Sequence, residues 1–148
     1  NFWAEKHLRT IRSAYQKAQN FKDIYPYFEQ YYSQNFNKVN LIDILLDNLN
    51  LFSNIFNIKT KFIRSSNLNL KKSKSELILE ICQMLGANVY LSGPLGSNYL
   101  DLNSFKKVDI DVINHFYDQP IYKQLNIKYF QKYTSVIDVL MNNLDEVI

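Results

Sequence analysis

Two of the chain's three glycines fall in one short loop, Ser92-Gly93-Pro94-Leu95-Gly96-Ser97. The loop follows an apolar run, Val89-Tyr90-Leu91, and precedes a helix start, which is where ligands bind in open parallel sheets. Glycine lets the backbone come close to an anion, and amides there could hold a phosphate or a carboxylate. Neither the Walker A pattern nor the dinucleotide fingerprint is present. The competing reading is an ordinary strand-to-helix turn that needs glycine for its dihedrals.

The remaining chemistry-bearing residues are few. Arg9, Arg12 and Arg64 are the arginines, able to grip a phosphate or carboxylate with two hydrogen bonds. Lys71-Lys72-x-Lys74 is the densest basic run and reads as a solvated loop. His115 ends an alternating run, Ile110-Asp111-Val112-Ile113, beside Tyr117 and Asp118, a position suited to proton transfer. His7 sits on an apolar helical face and reads as a core histidine; Cys82 likewise faces the core, and Asp43 with Asp47 reads as the wet edge of a buried helix. No G-x-S-x-G elbow is present to support a hydrolase triad. One cysteine and two histidines cannot build a structural zinc site, and a lone thiol forms no internal disulfide, so a reducing, cytoplasmic compartment is the default expectation.

The elements that must position these groups follow from periodicity. Up to residue 58 the spacing predicts helices: Trp3, His7, Ile11, Tyr15 and Ala18 on one face, a segment interrupted at Pro26, and a nearly all-apolar helix from Leu41 to Ile58 that should be buried. From 59 onward the pattern turns to α/β. Thr60 to Ser65 reads as a first strand, Ser73-x-x-Glu76 as a capping box, Gly86 as a left-handed C-cap, and Val89–Leu91 and Ile110–Ile113 as further strands. Asp101 caps a short helix through Phe105, and Ser135 opens a last helix to Met141. The expected fold is α/β, with N-terminal helices packed on a small, mostly parallel sheet in β-α-β-α-β-α order.

A chain of 148 residues with 47% hydrophobic and 15% aromatic residues fits one packed domain, or most of one, and not a disordered tail. No apolar run is long enough to cross a membrane. The net charge of +3 and the core-like spacing of the aromatics argue against a nucleic-acid partner. Asparagine occurs 18 times, scattered among apolar residues, which is the mark of AT-rich coding and not of a low-complexity tract. The chain begins Asn1-Phe2-Trp3, so a processed or shortened reading frame is expected.

Three stretches resemble the WbqC-like proteins of bacterial surface-polysaccharide gene clusters. Trp3-Ala4-Glu5-Lys6-His7-Leu8-Arg9-Thr10-Ile11 matches first. Arg64-Ser65-Ser66, Leu79-Glu80-Ile81-Cys82, Leu85-Gly86-Ala87, Tyr90-Leu91-Ser92-Gly93, Gly96 and Tyr99-Leu100-Asp101 follow in order. Pro120-x-Tyr122-x-Gln124 and Ser135-x-Ile137-Asp138 close the match. The family's usual His-Pro is Gln119-Pro120 here, which leaves His115 as the substitute, and its opening Gln-Pro and Trp-x-Asn-Arg motifs are missing. The resemblance therefore implies one WbqC-like domain over 1–148 that lacks the family's N-terminal part.

For function, the resemblance implies a cytoplasmic transferase that adds glycine or another acyl group to an amino sugar in O-antigen synthesis. Its substrates would be a sugar or sugar nucleotide and an activated acyl donor. Ser92, Gly93 and Gly96 would cradle an anion with Arg64, Ser65 and Ser66 close by. Tyr99, Tyr122 and Gln124 would shape a sugar pocket, and Asp101 and His115 are the candidate catalytic pair. No metal ligand set is implied. A non-enzymatic sugar-nucleotide or partner-binding module and an inactive remnant are the alternatives.

Overall fold

Residues 2–143 are described by the computed structural model. The chain divides into two compact units, one of residues up to Thr60 together with those from Gln119 onward, the other of Lys61–Asp118. The second unit is thus an insertion within the first.

The helical unit holds α1 (Phe2–Tyr15), α2 (Phe21–Asn35), α3 (Leu41–Ile55) and α6 (Val136–Asn142). Helix α2 is its centre, and α1, α3 and α6 each pack against it. Ile24, Tyr25 and Phe28 of α2 meet Ile11 of α1 and Leu140 and Met141 of α6 in one buried cluster. Pro26 lies inside α2 without ending it, and Phe28 and Tyr31 resume the buried face behind it as the spacing suggests. The proline sits in the second turn, where one lost backbone bond is outweighed by the buried residues on either side of it. Helix α3 departs from expectation: Ser53 is its one fully buried residue, and Leu41, Ile42, Leu45 and Leu49 are all exposed. An apolar sequence buries a helix only where a neighbour covers each face, and α2 covers one.

The inserted unit runs from an irregular stretch through α4 (Lys74–Met84), β1 (Val89–Ser92), α5 (Leu102–Lys106) and β2 (Asp111–Asn114). The two strands pair in parallel with Val89 opposite Asp111 and Ser92 opposite Asn114. Phe105, fully buried on α5, Cys82 on α4, Leu100 and Ile110 form the core beneath them. Burial alternates along both strands, so Tyr90, Ser92, Val112 and Asn114 turn inward while Val89, Leu91 and Ile113 face outward.

The mixed α/β class and the parallel pairing agree with the sequence, but the sheet among the described residues has two strands. Thr60–Arg64 is irregular and wholly exposed, and it leads into a 3-10 turn at Ser65–Asn67. Its β-branched and aromatic residues have no neighbouring strand to supply the pairing on which strand propensity depends. The capping box is also absent. Ser73 stands at the N-cap but its side chain makes no capping bond, because Lys74 adopts a left-handed φ of +52°. Glu80 instead reaches back to accept from the Lys71 and Lys72 amides, each at 3.0 Å. Gly86 does end α4 in the left-handed region, at φ +65°. Asp101 and Ser135 cap α5 and α6 as expected.

Candidate functional site

Ser92 and Asn114 occupy the last positions of their strands and stand opposite each other in register. The chain then leaves β1 through Gly93 and folds back in a 3-10 turn, Gly96–Asn98. Gly96 lies directly against the strand ends. A methyl group built on it would overlap Ser92 Oγ and stand 2.8 Å from Ser92 Cβ and 3.2 Å from Asn114 Oδ1. Glycine is therefore needed at 96 for close approach. Gly93 is different: it is exposed, and a Cβ there would meet nothing within 4 Å.

The Gly96 N–H donates to Gly93 O at 3.0 Å, so this amide serves the turn. What the loop brings to the strand ends is a small surface without a side chain. Under it lie two buried oxygens: Asn114 Oδ1 has no hydrogen-bond partner, and Ser92 Oγ has none of good geometry beyond its interaction with the Tyr90 phenol. Ser92 is 2% exposed. Buried polar atoms are almost always paired, and an orphan costs about 1–3 kcal/mol.

The other residues singled out in the sequence divide into three groups. His115 and Tyr99 belong to this strand end. The His115 amide donates to Ser92 O at 2.8 Å, fixing the histidine immediately after Asn114, with the residue exposed. Tyr99, also exposed, follows the turn and donates its amide to Gly96 O. Burial raises the neighbouring Tyr90 phenol, the Tyr99 phenol adds to that shift, and the Ser92 side chain opposes it.

Asp101 follows Leu100, whose amide also bonds Gly96 O. Its carboxylate accepts from Ser104 Oγ at 2.6 Å, and that bond holds the acid below the usual carboxylate range. Its backbone amide donates to Ser75 Oγ at 2.8 Å, tying it to α4. Arg64, Ser65 and Ser66 lie exposed on their own 3-10 turn.

Tyr122 and Gln124 are in the helical unit, both buried, and both donate to Oδ2 of Asp138, at 2.7 and 2.8 Å. Asn142 Nδ2 reaches Oδ1 at 3.3 Å. Gln124 also clasps the Gln131 backbone at both its N–H and its carbonyl. The paired motifs around 120–124 and 135–138 thus form one buried network that fastens the irregular 119–134 segment to α6.

Asn114 was missed in the sequence because it follows the apolar alternation and carries no motif. The signal is the register: Val89–Ser92 pairs with Asp111–Asn114, which sets Asn114 level with Ser92. No group of three or more metal-ligating side chains occurs among the described residues. Nor is any described helix long and apolar enough to cross a membrane. Cys82 is buried, and burial raises its thiol, which removes it as a nucleophile.

A model of the WbqC-like protein family matches residues 1–148, the whole chain. The chain is also 30% identical over 142 residues to the uncharacterized protein Rv1507c of Mycobacterium tuberculosis (strain ATCC 25618 / H37Rv). That alignment covers 95% of this chain and 60% of the relative's length. No solved structure matches.

Two outcomes follow from the geometry. Gly96→Ala lowers stability by about 1–3 kcal/mol in urea unfolding, whereas Gly93→Ala changes it by less than about 0.5 kcal/mol. Equal costs at the two positions would contradict the close approach. The second concerns pH. Burial and then the Asp138 carboxylate push the Tyr15 phenol up to about 12. An unfolded tyrosine ionises near about 10, so above that pH the unfolded chain releases this proton first. Stability from Tyr15 is therefore whole below about pH 10 and is lost as pH rises through about 12. Tyr15→Phe makes the fall of the urea midpoint between those pH values shallower; an unchanged slope would refute the assignment.

Proposed function

Because the chain belongs to the WbqC-like protein family, we propose that it acts as a transferase moving an acyl group, glycyl or similar, from an activated carboxylate to the amine of a sugar. The setting is the synthesis of a bacterial surface polysaccharide. The observation that carries this reading is the pair of buried oxygens, Ser92 Oγ and Asn114 Oδ1, at the C-terminal ends of two parallel strands. The lone buried Cys82 suits a reducing compartment such as the cytoplasm.

The chemistry needs three things from the protein. The amine nitrogen attacks the carbonyl carbon of the donor. A C–N bond forms, the bond from carbonyl carbon to leaving group breaks, and the leaving group departs with that electron pair. The nitrogen's surplus proton passes to a base. Ser92 Oγ–H donates to the carbonyl oxygen as negative charge develops on it, with no reorganisation because the hydroxyl is already buried there. Asn114 Oδ1 accepts one N–H of the amine and so aims the nitrogen lone pair at the carbonyl. His115, the next residue, takes the proton.

Gly96 packs directly against Ser92, where any side chain would overlap the hydroxyl. Tyr99, Gly93 and the Arg64-Ser65-Ser66 turn are assigned to the polar remainder of the substrates. Asp101, held by Ser104, is a positioning residue that starts α5. Tyr122 and Gln124, committed to Asp138, position the helical unit and do not enter the step.

Incubating the chain with amino sugars and with acyl phosphates or acyl thioesters is expected to yield an amide product, seen by mass spectrometry as the added acyl mass. Asn114→Ala lowers the rate about 10- to 100-fold with its melting transition retained. No added mass across the panel, or full activity in Asn114→Ala, would contradict the assignment.

A further inference from the structure

We infer that the groove between α2 and α3 is a saccharide-binding site for a neutral or amine-bearing sugar. This goes beyond the transfer reaction and stands independently of it. The groove has a volume of about 680 Å³, within the size range of small-molecule sites. It is built by two helical stripes. Asp23, Tyr27, Gln30 and Gln34 follow one another at steps of four, three and four along α2. Asp47, Asn50 and Asn54, at steps of three and four, answer them from α3. Such steps keep residues on one helical face, so the seven side chains border a common space.

Their chemistry is selective. A carboxamide presents an acceptor and two donors side by side, which matches the paired hydroxyls of a sugar ring, and four of them border this groove. The Tyr27 ring, 48% exposed, offers a flat apolar face for the C–H side of such a ring. Ile24, Leu51 and Ile55 make an apolar floor beneath the polar rim. No lysine, arginine or histidine lines the groove. Lys38, which bonds Asp47, is not among the lining residues. Asp47 is already paired with Lys38, so Asp23 is the carboxylate that disfavours phosphates and acidic sugars here and favours an ammonium group. Asparagine is also a poor helix former, so Asn50 and Asn54 on successive turns of α3 cost helix stability that alanine would not.

The decisive experiment is an NMR titration of the chain with three probes: the glucosamine disaccharide, the N-acetylglucosamine disaccharide and glucose 6-phosphate. The expected result is saturable shifts on α2 and α3 with the first two and none there with the third. Tyr27→Ala and Asn54→Ala each weaken the disaccharides about tenfold. Both residues are exposed, so the folded spectrum is retained. Ser92→Ala leaves this binding unchanged, which separates the groove from the strand-end site. The inference is overturned if neither disaccharide shifts α2 and α3, if both variants bind as tightly as the native chain, or if glucose 6-phosphate binds there equally well.

Discussion

The parallel pairing of Val89–Ser92 with Asp111–Asn114 is the constraint on which the inserted unit depends. Two four-residue strands are too short to be stable by their own ladder. They persist because the crossover between them carries Phe105 into the core beside Cys82, Leu100 and Ile110. The same pairing brings Ser92 level with Asn114, and the crossover can begin so tightly only because Gly96 has no side chain. One geometric requirement therefore closes the fold and leaves two buried polar atoms at its edge.

In the helical unit a single buried carboxylate has the corresponding part. Asp138 gathers donors from Tyr122, Gln124 and Asn142, so residues 119–134, which contain no regular element, are held by specific bonds. A buried charge satisfied by neutral donors fixes position sharply, since each partner left behind on its removal would be an orphan. Leu140 and Met141, the most deeply buried residues of α6, lie one turn or less from Asp138 and complete the anchoring.

How much of this was legible depended on range. Local signals held: Gly86 takes the left-handed cap, Asp101 and Ser135 cap their helices, and the alternation at 89–92 and 110–114 gives strands. Features set by distant neighbours were not legible. The 60–64 stretch has strand-forming residues but no partner strand, and α3 is apolar almost all round yet covered on one face. The capping box failed for a local reason, the left-handed backbone at Lys74, that no residue pattern announces. At the site, the loop was visible through its glycines. The role of Gly96 as a space-maker and the entry of Asn114 required the register. Tyr122 and Gln124 were conspicuous as motif residues, and only coordinates reveal that they converge on Asp138.

The central proposal, motivated by the buried oxygens at the strand ends, is that Ser92 and Asn114 receive a ligand. The most direct measurement follows the Asn114 side-chain amide and the Ser92 backbone amide by nitrogen-15 NMR while acetyl phosphate, a small activated carboxylate, is added. Saturable shifts centred on these two residues, lost in Asn114→Ala, are the result expected. Signals that stay fixed through the titration, or shifts that persist undiminished in Asn114→Ala, would contradict it.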